Sequence, residues 1–204
     1  MENSDTMNSF WNSKYSVDHY VYGKCPNAFF KSVIDTLPIG RMFIPAAGEG
    51  RDAVYAAALG WDVTAVDQSE VGRQKALRFA EERKVSIRYD TANVFDFDIA
   101  GESFDAVALI YFHLSPQDRK RFHSSVHNVL SPNGIVILEA FHPRQIYNSS
   151  GGPQDPSMLM TVESLTKEFA GLTILECSEH RITLDEGPGH SGIADVVRLV
   201  AKKI

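Results

Sequence analysis

Two glycines and an acid at a fixed spacing could bind a nucleotide. The segment GEGRDA, residues 48–53, fits the pattern G-x-G-x-x-[GA], and Asp67 lies 19 positions after Gly48. Gly48 and Gly50 have no Cβ, so they can adopt positive φ and let a ligand approach the backbone. An acid at the end of the next strand can accept hydrogen bonds from both ribose hydroxyls. The spacing predicts a nucleotide site; the structural alternative is a tight turn capped by Asp67.

Histidines on predicted loops could supply a general base or bind a substrate. His113 follows the fourth predicted strand, and His142 follows the fifth, with Arg144 and Tyr147 close behind. His190 lies in the turn between the last two predicted strands. A histidine near its reference pKa can accept a proton at neutral pH. The alternative for each is a loop histidine that bonds a backbone carbonyl, and Arg144 could hold an anionic substrate or simply be solvated.

Other candidate ligands favour no metal site. His123 and His127 are four residues apart on a predicted helix, but the sequence has no HExxH motif and no evident third ligand. We therefore predict a partly exposed helix face there. Cys25 and Cys177 are far apart, which excludes a zinc-type spacing, predicts inert thiols and suits a reducing cytosol.

Short apolar strands that alternate with helices must position these side chains. Strands are predicted at 41–45, 61–66, 85–89, 104–110, 134–140, 172–184 and 193–202. Helices are predicted at 51–59, from the cap Ser69 to about residue 83, from the cap Ser115 to about 130, and from the cap Thr161 to about 169. The alternation predicts parallel pairing, with the last two strands antiparallel because no helix separates them. Such a sheet binds ligands outside the carboxyl ends of its strands, where residues 44–50 lie.

Length and composition favour one domain over residues 1–204. The aromatic-rich segment 1–38 suits a packed helical region or a movable lid equally well, and residues 141–160 lack periodicity, as a substrate loop often does. The net charge of -6 argues against a general nucleic-acid binder, and no apolar run is long enough to span a bilayer. The N-terminus lacks the features of a secretory signal. We expect a cytoplasmic monomer or homodimer with a small-molecule substrate and neither nucleic-acid nor membrane partners.

Motifs in a fixed order give the chain a specific resemblance. The glycine loop, VTAVDQSE, TANVFDFD, FDAVALIYFHL and LSPNGIVILEA resemble the motifs of the class I methyltransferases and cover residues 40–140. The flanking stretches FWNSKYSVDHYVYGKCPNAFF, GGP and DEGPGHSG are similar to a small group near the tellurite-resistance and thiopurine methyltransferases. The resemblance implies a seven-stranded Rossmann-like doubly wound sheet, mostly parallel with an antiparallel last strand. It also implies S-adenosylmethionine as the cofactor.

The same resemblance assigns residues to the cofactor. Ala46, Ala47 and Gly48 would line the methionine part, and Asp67 would hold the ribose. The adenine would contact Gln68, Asn93 and Val94. Ile110 would lie at the end of the fourth strand, and Tyr22 would belong to the lid. Arg51 is added because it begins a helix whose free N–H groups favour an anionic group. Three positions depart from the pattern: Ile44 replaces a frequent acid, Ala46 a frequent glycine and Asn93 a frequent aspartate.

The leading hypothesis is methyl transfer from S-adenosylmethionine to a small molecule, with a thiol or chalcogen anion among the candidate acceptors. His190 is the predicted catalytic residue, because the stretch DEGPGHSG resembles the group and flanks the ring with glycines. A soft anion can attack without a base, whereas a hydroxyl or ammonium acceptor needs one. The alternatives are an NAD(P)-binding oxidoreductase and a non-catalytic nucleotide-sensing module. A dinucleotide would need further protein to house its second half.

Overall fold

The structure is a computed structural model that describes residues 4–99 and 101–204, with side chains described from residue 8 onward. Residues 1–3 of the predicted lid segment, and residue 100, lie outside the described residues. The helices are α1 (Ser4–Tyr15), α2 (Ala28–Ile34), α3 (Arg51–Ala58), α4 (Glu70–Glu82), α5 (Pro116–Val129) and α6 (Val162–Glu168). The strands are β1 (Arg41–Pro45), β2 (Asp62–Asp67), β3 (Arg88–Thr91), β4 (Phe104–Ile110), β5 (Leu130–Phe141), β6 (Thr173–Asp185) and β7 (Ser191–Lys202). Short 3-10 helices span Pro143–Tyr147 and Pro156–Met158.

The described strands form one seven-stranded sheet in the order β3-β2-β1-β4-β5-β7-β6. β2 pairs in parallel with β1 and with β3, and β4 pairs in parallel with β5. β7 runs antiparallel to both of its neighbours, β5 and β6. The expected fold class is therefore confirmed, including the antiparallel last strand.

Two compact units divide the chain. The first comprises residues up to Asp98 together with Glu186–Pro188, and its β1 and β2 are almost entirely buried. The second comprises Ile99–Asp185 and Gly189–Ile204, where β4 and most of β5 are buried and β6 is largely exposed. Strands buried on both faces are continuous apolar runs, as their sequences show.

The predicted helix starts are confirmed at three caps. Ser69, Ser115 and Thr161 are the N-caps of α4, α5 and α6, and each side chain accepts the backbone N–H three residues further on. These side-chain acceptors satisfy donors that the first helical turn leaves unpaired. The caps thereby fix where the strand-to-helix connections end.

Two predicted strand starts are wrong by three or more residues, and those of β2, β6 and β7 differ by one or two. The third strand begins at Arg88 rather than 85, because Val85 N–H still donates to the Ala80 carbonyl and Lys84 adopts φ +58 at the end of α4. The fifth begins at Leu130 rather than 134, because Leu130 already pairs with Phe104. The stretch 131–134 lies within β5 at a register shift.

Candidate functional site

A left-handed turn joins β1 to α3. Ala46, Gly48 and Gly50 adopt φ of 50, 54 and 84°, and the Gly50 N–H donates to the Ala47 carbonyl at 2.9 Å. Glycine adopts such angles freely, whereas an L-residue with a Cβ is strained by about 1–2 kcal/mol. The strain falls on Ala46, the position at which the sequence departs from the frequent glycine.

Asp67 fastens this loop from the end of β2. Its two carboxylate oxygens accept the Gly48 N–H at 2.9 Å and the Ser69 N–H at 2.8 Å. Burial raises the pKa of Asp67, and these backbone hydrogen bonds partly offset the rise. A carboxylate has about four lone-pair sites, so capacity remains for ribose hydroxyls. The predicted acid is thus joined directly to the predicted loop.

Close packing at the loop provides the test of cofactor fit. A Cβ on Gly48 would lie 2.7 Å from the Tyr15 hydroxyl oxygen, and one on Gly50 would lie 2.5 Å from the Ala76 Cβ. The Gly48 carbonyl accepts the Tyr89 hydroxyl at 2.6 Å. Gly48 and Gly50 are buried against these side chains and Ala46 is exposed, while the acceptor sites left on the Asp67 carboxylate suit the ribose of S-adenosylmethionine. The residues present therefore fit that cofactor.

The remaining predicted cofactor residues occupy the expected elements. Gln68 is half-buried directly after Asp67, and Ile110 ends β4. Asn93 and Val94 are half-buried after β3, and the Asn93 side-chain oxygen accepts the Phe95 N–H at 3.0 Å. Of this group, Gln68, Asn93 and Val94 lie at the carboxyl ends of β2 and β3 in the first unit.

Two buried charges, which the sequence analysis missed, tie the chain before α2 to the loop. The Glu49 carboxylate accepts the Val21 N–H at 2.7 Å and the Tyr22 N–H at 3.3 Å, and its other oxygen lies 2.5 Å from the Lys75 ammonium. Lys75 also donates to the carbonyls of residues 15, 17 and 19. Glu49 occupies the variable position of G-x-G, so the pattern gave no signal for it. Tyr22 packs edge-on to Tyr15 at 6.4 Å between ring centroids.

The Arg51 side chain is engaged away from the loop backbone. Its guanidinium pairs with Glu186 at 3.0 Å and donates to the Tyr22 carbonyl at 3.2 Å, and the side chain is 9% exposed. The predicted cofactor contact of Arg51 therefore rests on its backbone N–H alone.

Hydrogen bonds to the backbone occupy both ring nitrogens of His113. Nε2 accepts the Phe141 N–H at 3.0 Å, so Nδ1 carries the proton and donates to the Tyr111 carbonyl at 3.0 Å. Burial lowers the pKa of His113 to about 4. The ring is neutral at pH 7 and holds the end of β5, which matches the structural alternative for this histidine rather than the predicted substrate role.

His142 and Arg144, two of the predicted substrate residues after β5, have hydrogen-bond and ion-pair partners. The His142 Nδ1 accepts the Arg144 N–H at 3.1 Å, and its Nε2 lies 3.3 Å from Glu179. The Arg144 guanidinium pairs with Glu179 and with Asp195, each at 3.0 Å. The Arg144 side chain is 49% exposed and its charge is paired, so an anionic substrate would have to compete with two carboxylates. Tyr147 is 85% exposed.

His190 lies in an aromatic cluster of the second unit. Its ring centroid is 4.6 Å from that of Tyr111 and 5.3 Å from that of Phe141, in edge-to-face arrangements. A Cβ on Gly151 would lie 2.8 Å from the His190 Cδ2, so the 150–152 loop covers the ring, which is 5% exposed. The structure thus joins His190 to residues at the carboxyl ends of β4 and β5.

Tyr111 is a site candidate that the sequence analysis missed. It adopts φ +51 directly after β4, and its hydroxyl donates to the buried Glu139 at 2.8 Å. Glu139 in turn pairs with Arg198 at 2.6 Å. Strained angles on bulky residues are concentrated at functional sites. The sequence signal for Tyr111 was its position directly after Ile110, the last residue of β4.

The helical histidine pair has a different environment from the one predicted. His123 is 2% exposed rather than partly exposed, and its Nδ1 lies 2.6 Å from Glu168, which Arg119 also contacts at 3.0 Å. His127 is exposed. In the part of the chain that the structure describes, no group of three or more His, Cys, Asp or Glu side chains could hold a metal ion.

The cysteines are separate: Cys25 is exposed, and burial raises the pKa of the half-buried Cys177 thiol. Among residues 4–99 and 101–204, no helix is long and apolar enough to cross a membrane.

Comparisons with known proteins agree with this architecture. Residues 45–134 match a family model described as a methyltransferase domain. No curated protein sequence matches the chain.

Among solved structures, the chain is similar to a protein studied in the conversion of a disulfide bond into a thioacetal group during echinomycin biosynthesis (18% identity, TM-score 0.76, 97% of this chain and 92% of that one). It is also similar to TehB from Haemophilus influenzae (15% identity, TM-score 0.71, 97% and 67%). A third is the magnesium protoporphyrin IX methyltransferase ChlM from Synechocystis PCC 6803 with bound S-adenosylmethionine (15% identity, TM-score 0.73, 100% and 98%). At these identities the likeness establishes the fold.

Proposed function

We propose that this chain is an S-adenosylmethionine-dependent methyltransferase whose acceptor is a small molecule with a soft nucleophile, a thiol or chalcogen anion. The chain works as a single methyltransferase domain, in which residues 1–38 act as the lid and 141–160 as the substrate loop. Its net charge of -6 supports the expectation that it has no nucleic-acid partner, and its free cysteines support a cytoplasmic location. A monomer or homodimer remains the expected state.

The glycine loop and the ends of β2 and β3 form the proposed cofactor site. When bound, S-adenosylmethionine supplies the methyl group and the sulfonium leaving group. The residues of the first unit that would hold it are Tyr22, Ala46, Ala47, Gly48, Arg51 through its backbone N–H, Asp67, Gln68, Asn93 and Val94, and the role expected for Ile110 stays a prediction. The buried Asp67 carboxylate would accept the ribose hydroxyls while it keeps the Gly48 N–H in place.

The aromatic cluster of Tyr111, Phe141 and His190 is the observation that carries the acceptor proposal. Sulfur and its heavier relatives are polarizable and make favourable contacts with aromatic rings. The ring centroids of Tyr111 and Phe141 are 4.6 Å apart. The charge of Arg144 is already balanced by Glu179 and Asp195. This environment suits a soft acceptor better than a phosphate or carboxylate. The likeness to a protein whose described reaction converts a disulfide into a thioacetal also favours a sulfur acceptor.

His190 is the proposed catalytic residue. Because the ring nitrogens of His113 and His142 are engaged by the backbone and by Glu179, those two histidines are poor bases. His190 would bind the acceptor anion or take its proton, after the loop at Gly151 moves aside. Holding the acceptor in line with the methyl group would supply most of the remaining rate enhancement.

An acceptor panel with methyl-labelled S-adenosylmethionine tests this function. The panel comprises an alkyl thiol, an aryl thiol, selenide, a catechol and a primary amine. We expect label in the sulfur and selenium acceptors. Transfer only to the catechol or the amine would overturn the acceptor proposal.

His190→Ala tests the assigned role. We expect kcat for an alkyl thiol below its pKa to fall by roughly 10²–10⁴ if His190 is the base. For selenide, which is already an anion, the loss should be smaller and appear mainly in KM. His127→Ala, on the exposed face of α5, is the matched control. Unchanged kinetics in His190→Ala would remove this residue from the site.

A further inference from the structure

Three charged side chains of the segment 49–52 bind the backbone of residues 21–27, which precede α2. Glu49 accepts the backbone N–H groups of Val21 and Tyr22. Asp52, on the first turn of α3, accepts the Asn27 N–H at 2.7 Å. Both carboxylates are buried, at 4% and 8% exposed. Residues 21–27 are thus fastened at both ends by the segment that carries the glycine loop.

Arg51 adds a third attachment in the middle. Its guanidinium donates to the Tyr22 carbonyl at 3.2 Å and pairs with Glu186, whose other oxygen accepts the Asn27 side-chain amide at 3.0 Å. Glu186 lies in the turn between β6 and β7, 135 residues from Arg51 along the chain. This carboxylate therefore contacts both the helix start and the 21–27 segment.

The glycines of the two segments show how closely their backbones approach. A Cβ on Gly187 would lie 2.6 Å from the Gly23 nitrogen and 2.9 Å from the Val21 carbonyl oxygen. No side chain fits between these backbones. The 186–188 turn therefore packs directly on residues 21–23.

We propose that Arg51 and Glu186 are positioning residues for the methyl donor: their buried ion pair holds residues 21–27 closed against the glycine loop. Neither side chain needs to touch the donor. The assignment rests on the proposed use of this loop as the donor site. The proposal gives Arg51, a charged residue of GEGRDA, a role that the nucleotide-binding pattern does not provide.

The expected effect follows from the burial of the pair. Removing one partner takes the Arg51–Glu186 ion pair from the other buried charge, which also weakens the attachment of residues 21–27 and favours opening of the segment. The apparent affinity of a site that exists only in the closed state falls in proportion to the closed fraction. If closure drops to about one tenth, the Kd for S-adenosylhomocysteine rises about tenfold.

Calorimetry with S-adenosylhomocysteine on Arg51→Met, Glu186→Gln and the double variant measures this coupling. Each single change should raise Kd about tenfold, and the double should raise it by less than the product of the two single effects, since both single changes remove the Arg51–Glu186 ion pair. Arg41→Met is the matched control, because Arg41 lies at the start of β1 in a largely exposed pair with Asp62. The control should bind like the wild type.

Amide hydrogen exchange gives a readout independent of the donor. In either single variant, exchange should accelerate at Val21 and Tyr22, whose N–H groups bond Glu49, and stay unchanged in β4. Wild-type Kd and wild-type exchange in both variants would overturn the proposal. So would a lower affinity in Arg51→Met with a normal Glu186→Gln, which would make Arg51 a direct ligand.

The failure of the proposed function has a different signature. If the wild type does not bind S-adenosylhomocysteine, the loop is not the donor site, whatever the exchange data show. If Arg51→Met does not fold, Glu186→Gln, which keeps the size of the side chain, decides the matter on both readouts.

Discussion

Gly48→Ala should destabilise the protein by an amount that depends on Tyr15. The backbone at Gly48 has φ +54, which costs an alanine about 1–2 kcal/mol. The new Cβ would also lie 2.7 Å from the Tyr15 hydroxyl, and such overpacking typically costs about 1–3 kcal/mol. In a Tyr15→Phe background the nearest ring atom is 3.4 Å away, an ordinary contact. Only the cost of the backbone angle should then remain.

Urea unfolding of the wild type, both single variants and the double variant measures this difference. The coupling free energy between the two changes should be about 1–3 kcal/mol. Circular dichroism reports unfolding, and equal m-values across the set would justify the comparison. If Gly48→Ala costs the same with Tyr15 and with Phe at that position, α1 does not pack on the glycine loop as described.

Asp67→Ala should weaken S-adenosylhomocysteine binding by about 1.5–3 kcal/mol, the range for hydrogen bonds to a charged group; if a 2',3'-dideoxyribose analogue loses equal affinity on mutant and wild type, Asp67 is not the ribose acceptor. His113 should make the protein acid-sensitive, because its folded pKa of about 4 lies below the unfolded value of about 6.5. Unfolded chains then bind more protons between these values, so stability is fully present above pH 6.5 and falls by about 3 kcal/mol as the pH drops to 4. His113→Gln should lose this part of the pH dependence of stability in urea titrations. The control His127→Gln, at an exposed position of α5, should keep it. Equal pH profiles for the wild type and His113→Gln would contradict the burial argument.

Local rules account for the parts of the fold that the sequence predicted. Glycines at positive φ mark the loop after β1, and hydroxyl caps at Ser69, Ser115 and Thr161 set three helix starts. These features depend on residues within one turn of each other. The alternation of strands and helices then determined the parallel sheet and its antiparallel end.

The missed features depend on partners that are distant in sequence. Lys75 meets Glu49, and Arg51 meets Glu186, across 26 and 135 residues, so no local pattern signals either ion pair. The engagement of His113 likewise follows from the Phe141 N–H, which reaches it only once β4 and β5 pair. Sequence spacing identified residues able to do chemistry, but their hydrogen-bond partners determine which of them remain suited to it.

A calorimetric titration of the wild-type protein with S-adenosylhomocysteine, beside one with NAD, tests the central claim most directly. The loop of Gly48 and Gly50 and the buried Asp67 predict saturable binding of S-adenosylhomocysteine at one site per chain, and no heat of binding with NAD. Saturable NAD binding without affinity for S-adenosylhomocysteine would contradict the account.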